Sequence, residues 1–133
     1  MLHGFGETER FWRSDHSSKL TEELQDDGFS VLRLRYNTGR AVADNGQDLA
    51  DLLEVVRLAW PVPVEEVALI GHSMGGLVNQ SAVVAALSCG YRWADLTTHL
   101  VAIGTPHLGS PIEKGVEIVS NSLELFKETR PLA

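Results

Sequence analysis

The segment VALIGHSMGG, residues Val67–Gly76, decides the fold of this chain. Its first four residues, Val67–Ile70, are apolar on both faces, which is typical of a central strand in a parallel sheet covered by helices on both sides. The next five, Gly71–Gly75, satisfy the pattern G-x-S-x-G. A helix is predicted over Met74–Ser88, so the pattern falls on a tight turn between a strand and a helix.

Ser73, at the centre of this turn, is the candidate nucleophile. A serine on so sharp a turn has strained backbone dihedrals, and Gly71 and Gly75 leave room for the chains that approach it. The helix N-terminus also favours negative charge that develops beside the serine. The alternative is a glycine-rich loop that only turns the chain or holds a phosphate. The spacing over Gly71–Gly76 is G-x-x-x-G-G, which lacks the key residues of dinucleotide and nucleoside-triphosphate loops.

The elements on either side of this turn alternate between helix and strand. A second apolar strand is predicted at Leu100–Ile103, and Gly90 ends the small-sided helix between the two strands, which is expected to be buried nearly all round. Upstream, the residues Phe29–Tyr36 predict a strand. A helix capped by Asn45 carries an apolar stripe that ends at Trp60.

The two ends of the chain complete the pattern. Ser17 is a candidate cap for a short first helix that Gly28 stops. The last helix is predicted over Pro111–Lys127, after the capping residue Ser110. This alternation predicts an α/β fold, a three-layer sandwich with a parallel sheet and right-handed crossovers.

Composition excludes several classes of protein. The chain has 133 residues and a formal net charge of -7, with no cluster of Lys or Arg, so nucleic acid is not an expected partner. No apolar stretch approaches the roughly 20 residues that a membrane-spanning helix needs. The single cysteine, Cys89, offers neither an intrachain disulfide nor a zinc site, and no metal or cofactor is expected. No signal peptide precedes His3, which favours the cytoplasm but leaves the compartment open.

Three motifs resemble the α/β-hydrolase superfamily, within it the bacterial esterase/lipase branch akin to lipase and GPI inositol-deacylase-like hydrolases. They are HGFG at His3–Gly6, GHSMGG at Gly71–Gly76 and GTPHLGS at Gly104–Ser110. The likeness covers essentially the whole chain. It implies a partial α/β-hydrolase domain over residues 1–133, truncated at both ends, in which residues 110–133 are a candidate start of a cap or lid.

The resemblance also assigns roles within the site. It implies that the backbone amides of Phe5 and Met74 form the oxyanion hole. The remaining motif residues are expected to support the loop and the turn: His3, Gly4, Gly71, His72, Gly75 and Gly76. His3 is expected to order its loop through hydrogen bonds from its ring to the backbone, and the side chain of His72 is expected to point away from Ser73 and pack.

The rest of a catalytic triad is not apparent. His107 is a candidate for lining the pocket, whereas His16 and His99 are expected at the surface. No acidic residue after Ser73 has a suitable position among the candidates Asp95, Glu113, Glu117, Glu124 and Glu128. We therefore expect the triad acid and histidine to lie outside this chain, which is either a gene fragment or a degenerate relative.

The function implied is a serine ester hydrolase that acts through an acyl-enzyme on Ser73, with a small-molecule acyl ester or lipid as substrate. Two alternatives remain open: a catalytically incompetent fragment or binding remnant, and an acyltransferase or thioesterase that uses the same nucleophile. The stripe on the last helix is compatible with a lid over an acyl pocket and equally with a helix that only covers the sheet. Oligomeric state and the acyl and alcohol parts of the substrate are not readable from these residues.

Overall fold

The computed structural model describes residues 1–107, so the helix expected over Pro111–Lys127 and the candidate lid at residues 110–133 lie outside the described residues. A 3-10 turn, Glu9–Arg13, precedes the first helix. The helices and strands, in chain order, are α1 (Asp15–Asp26), α2 (Val42–Ala59), β1 (Val67–His72), α3 (Met74–Cys89), α4 (Arg92–Asp95) and β2 (Thr97–Ile103).

The sheet is parallel, as the sequence predicts. β1 pairs with β2 in a register that sets Leu69 opposite Leu100. On the other side of β1, Leu2 bridges Gly71 and also Leu34, both in parallel. The extended segments therefore lie in the order 29–36, 1–3, β1, β2. Helices and a parallel sheet establish an α/β fold, and the complete three-layer sandwich remains a prediction.

The prediction of a regular strand over Phe29–Tyr36 is wrong. Only Leu34 forms a bridge, and Leu34 N–H donates to the Met1 carbonyl over 3.1 Å. The neighbouring chain leaves the sheet at Gly4, so the pairing does not continue beyond that point. Its β-rich composition gives an extended chain without the partner that a strand needs.

Both upstream helices begin before the predicted caps. Ser14, not Ser17, is the N-cap of α1, and α2 begins at Val42 rather than after Asn45. The side chains expected to cap instead fasten neighbouring loops: Ser17 Oγ donates to the carbonyl of Phe11 over 2.8 Å, and buried Asn45 Nδ2 donates to that of Asn37 over 2.8 Å. Gly28 and Gly90 have positive φ after their helices, as expected.

The core lies where α2 and α3 pack on each other and on β1. Its buried members are Leu2, Leu49, Ala50, Leu69, Met74, Val78, Ala82, Ala86 and Trp93. Trp93 is fully buried and its Nε1–H donates to the Ala50 carbonyl over 3.0 Å, so even the polar atom of this ring is satisfied. Small residues allow close helix packing, since a Cβ on Gly46 of α2 would lie 2.3 Å from Ser81 Oγ of α3.

Leu100 and Ile103 of β2 are 44% and 43% exposed at the edge of the described sheet. The burial predicted for the helix between the two strands is wrong for the described residues. α3 is not buried all round, because Val84 and Leu87 are 65% and 60% exposed on the face turned away from β1 and α2. No helix among residues 1–107 combines the length and apolarity needed to cross a membrane.

We expect Leu49→Ala to lower the free energy of unfolding by roughly 2–5 kcal/mol, because it removes a side chain that is only 6% exposed and leaves a cavity. Leu58→Ala on the same helix is the matched control, since Leu58 is 69% exposed and the change should stay within about 0.5 kcal/mol. Urea unfolding followed by circular dichroism measures both. Equal losses for the two variants would contradict this assignment of the core.

Candidate active site

Ser73 occupies the predicted sharp turn between β1 and α3. Its φ of 51° and ψ of -121° make it the single non-glycine residue with positive φ in the described chain. Such a conformation costs about 1–3 kcal/mol and persists only where neighbours hold it. Here Ser73 N–H donates to the Ile103 carbonyl over 2.8 Å, and the Ser73 carbonyl accepts from Gly76 N–H over 3.1 Å and from Thr105 Oγ1 over 2.9 Å.

The glycines around Ser73 are required by close approach of other chains. A Cβ on Gly71 would lie 2.4 Å from Gly76 N, and one on Gly75 would lie 2.7 Å from the carbonyl oxygens of Leu2 and His3. Both neighbours are backbone, so they cannot rotate away. A Cβ on Gly76 would lie 2.1 Å from Thr105 Oγ1. This is the hydroxyl that donates to the Ser73 carbonyl. The three glycines let strand, helix and N-terminal segment converge on one serine.

The His-Gly loop lies against this turn. A Cβ placed on Gly4 would be 3.1 Å from Ser73 Cβ, so the loop passes beside the serine with no room for a side chain at Gly4. Among residues 1–107, no protein acceptor takes a hydrogen bond from Phe5 N–H or from Met74 N–H. Phe5 itself is 37% exposed.

His3 orders its loop through its ring, as the sequence predicts. The fully buried ring places Nδ1 3.0 Å from the Gly4 carbonyl, and its Nε2 accepts from Tyr36 N–H over 3.5 Å. Tyr36 stacks on the same ring at 4.5 Å and its hydroxyl donates to the His3 carbonyl over 2.7 Å. Burial, with a smaller contribution from the Glu7 charge, raises the pKa of Tyr36, so the phenol remains a donor at neutral pH.

Glu7 is a site residue that the sequence analysis missed. Its Oε2 accepts from Gly4 N–H over 2.6 Å and from His72 Nδ1 over 3.1 Å. His72 packs, with its ring stacked on Phe11 at 4.4 Å. It also makes a hydrogen bond through Nδ1, which the sequence analysis does not predict. The signal in the sequence was a glutamate three residues after Gly4, the spacing at which a side chain reaches back to a turn's first amide.

The remaining histidines of the described chain hydrogen-bond residues other than the serine or lie exposed. His107 is exposed at the end of β2, and its Nδ1 accepts from Gln80 Nε2 over 3.1 Å. His16 and His99 are exposed, as predicted, and His99 Nδ1 lies 3.5 Å from Glu66. Asp95 precedes β2 at the end of α4 and is exposed.

The serine hydroxyl is unengaged. Within the part of the chain that the structure describes, Ser73 Oγ makes no hydrogen bond. No histidine among residues 1–107 therefore makes the hydrogen bond through which a general base takes the serine proton. No group of three or more His, Cys, Asp or Glu side chains in residues 1–107 could hold a metal ion.

A family model agrees with this arrangement of a strained serine, a converging glycine triplet and a His-Gly loop. The model of the alpha/beta hydrolase family matches residues 1–126. The chain belongs to the alpha/beta hydrolase family. No curated protein and no solved structure matches it. Membership in this family supports hydrolase activity on a small molecule. In this domain Ser73 lies between a parallel strand and a helix.

We expect Gly71→Ala to lower the free energy of unfolding by about 3 kcal/mol or more, because its methyl group would overlap the backbone of Gly75 and Gly76. Gly39→Ala is the matched control, since its Cβ would meet only the side-chain oxygen of Asn37 at 3.2 Å. Urea unfolding compares the two variants. A Gly71→Ala chain as stable as Gly39→Ala would contradict the close approach of α3 to β1.

Proposed function

We propose that this alpha/beta hydrolase cleaves carboxylic esters through an acyl-enzyme on Ser73. The observation that carries the proposal is the backbone of Ser73, at φ 51°, with the His-Gly loop so close that a Cβ on Gly4 would lie 3.1 Å from Ser73 Cβ. A protein bears the cost of such a conformation where the side chain must stand clear of strand and helix. The Met74 amide follows Ser73 directly in the chain, and the Phe5 amide follows Gly4 in the His-Gly loop. Neither donates to an acceptor among residues 1–107, and the two are the proposed donors to the oxyanion.

The chemistry follows from these groups. Ser73 Oγ attacks the acyl carbon, a C–O bond forms, and the carbonyl oxygen becomes an oxyanion that accepts hydrogen bonds from Phe5 N–H and Met74 N–H. Collapse expels the alcohol, and water then releases the acid. Each such donor typically contributes about 3–4 kcal/mol to the transition state. The proton of Ser73 Oγ requires a base, for which the triad histidine and acid expected outside this chain are the first candidates and His107 the second.

The substrate class is proposed from the resemblance to the bacterial esterase/lipase branch and its GPI inositol-deacylase-like members. An acyl ester or a lipid fits a serine nucleophile served by two backbone amides. Residues 110–133 are proposed as the start of a cap that borders the acyl pocket. An acyltransferase or thioesterase shares the same acyl-enzyme and differs in the acceptor or the leaving group.

A non-catalytic remnant is the second candidate. The observation that favours it is that Ser73 Oγ makes no hydrogen bond to a described residue. In a triad enzyme the loss of one partner typically costs on the order of 10⁴ in rate. The two candidates therefore differ in whether Ser73 reacts faster than an ordinary serine.

Fluorophosphonate labelling of the 133-residue chain, followed by mass spectrometric mapping, tests the proposal. Ser88 is the internal control, since it is exposed on the same helix and its hydroxyl donates to the Val84 carbonyl over 3.0 Å. We expect Ser73 to be labelled at least 100-fold faster than Ser88, because two preorganised amides stabilise the pentacoordinate transition state.

Ser73→Ala should abolish this fast labelling and leave the slow labelling of other serines unchanged. A melting curve of Ser73→Ala identifies a folded chain, so that loss of labelling reports the missing hydroxyl. Equal rates at Ser73 and Ser88 in the wild-type chain would favour the non-catalytic remnant and overturn the proposal.

A further inference from the structure

We propose that Glu7 and His72 form a clamp that aims the Phe5 amide at the oxyanion, so that both are positioning residues for the reaction of Ser73. The Glu7–His72 clamp consists of the Glu7 carboxylate, the Gly4 amide and the His72 ring. The inference rests on the proposed function and adds to it the group that holds the oxyanion hole in place.

One carboxylate oxygen joins two segments that are far apart in the sequence. Glu7 Oε2 accepts from Gly4 N–H over 2.6 Å and from His72 Nδ1–H over 3.1 Å, across 65 residues. An ionised carboxylate only accepts, so Nδ1 of His72 is the donor. Hydrogen bonds to a charged acceptor are stronger and more directional than neutral ones. The carboxylate therefore fastens the His-Gly loop to the last residue of β1, directly before the nucleophile.

The same loop holds the peptide between Gly4 and Phe5 in one orientation. The Gly4 carbonyl accepts from Glu7 N–H over 3.2 Å and lies 3.0 Å from His3 Nδ1. In a trans peptide the carbonyl and the following N–H point in opposite directions. Holding the Gly4 carbonyl toward Glu7 and His3 therefore turns Phe5 N–H the other way, where no described acceptor meets it.

The His72 half of the clamp is itself held. Its ring stacks on Phe11 with the ring centres 4.4 Å apart and the planes 16° apart, and its backbone N–H donates to the Leu2 carbonyl over 3.0 Å. Phe11 belongs to the 3-10 turn Glu9–Arg13 that follows the loop. The ring is thus braced between the loop and the strand, and Nδ1 is directed at Glu7.

The exposure of the clamp separates positioning from folding. The side chains of His72 and Glu7 are 29% and 31% exposed, and neither belongs to the hydrophobic core. A polar contact this open to water contributes little to stability. Removing the Glu7 carboxylate should therefore change the direction of the Phe5 amide and have little effect on the stability of the fold.

Glu7→Ala, Glu7→Gln and the control Glu9→Ala test the clamp through the labelling of Ser73 by a fluorophosphonate. Glu9 lies two residues away and pairs with Arg35 over 2.5 and 2.6 Å, so Glu9→Ala removes the same charge from the same segment without touching Gly4. The maximal labelling rate and the half-saturating reagent concentration are measured separately, with melting temperatures for all variants.

We expect Glu7→Ala to lower the maximal labelling rate at least 10-fold while the half-saturating concentration stays within twofold, because only the transition state uses the Phe5 amide. Glu7→Gln, whose amide oxygen still accepts from Gly4 N–H, should recover part of the rate. Glu9→Ala should label within twofold of the wild-type chain. His72→Phe, which keeps a ring against Phe11 but lacks the donor, should lower the rate in the same direction as Glu7→Ala.

Two results would overturn the clamp alone: wild-type rates in folded Glu7→Ala, or an equal loss in Glu9→Ala. If Glu7→Ala does not fold, Glu7→Gln and His72→Phe decide, and wild-type rates in both contradict the clamp. Wild-type labelling no faster at Ser73 than at Ser88 is a different failure, because it overturns the proposed function and the clamp with it.

Discussion

The site depends on the close approach of three stretches of backbone at the turn between β1 and α3. A Cβ on Gly71 would lie 2.4 Å from Gly76 N, and one on Gly75 would lie 2.7 Å from the carbonyls of residues 2 and 3. Only glycine tolerates such contacts. This approach holds Ser73 at positive φ and places its hydroxyl outside the hydrogen bonding of both strand and helix.

The N-terminal segment gains its position from the same approach. Leu2 lies beside β1 through hydrogen bonds to Ile70 and His72, and the chain then turns at Gly4 against the serine. Buried His3 and partly buried Tyr36 support this turn on one side, and Glu7 accepts a hydrogen bond from its Gly4 amide. The preorganisation that the proposed nucleophile needs is thus distributed over residues that belong to the sheet as well as to the loop.

The sequence predicts this region well because its information is local. The apolar run before Gly71 indicates a parallel strand, and the glycine spacing around Ser73 indicates the turn, so neither depends on a distant partner. Burial was harder to predict, since Leu100 and Val84 have the apolar character of core residues and yet are largely exposed. Whether an apolar residue is covered depends on what packs against it, and that information is not in its own segment.

The two misplaced helix caps and the missed Glu7 share a physical cause. In each case the side chain hydrogen-bonds a group in another segment. Ser17 and Asn45 are good caps by type, but their side chains bind the carbonyls of Phe11 and Asn37, and their helices start earlier. Glu7 was missed because its partner His72 follows 65 residues later. Local propensity describes the hydrogen bonds that a residue favours within its own segment. It does not show which group of another segment the fold brings within reach of the side chain.

A crystal structure of the chain after reaction with diethyl p-nitrophenyl phosphate tests the central claim most directly. The account predicts phosphorus bonded to Ser73 Oγ, with the phosphoryl oxygen about 2.7–3.1 Å from both Phe5 N and Met74 N. A phosphoryl oxygen turned to solvent, away from both amides, or an adduct on a residue other than Ser73, would contradict it.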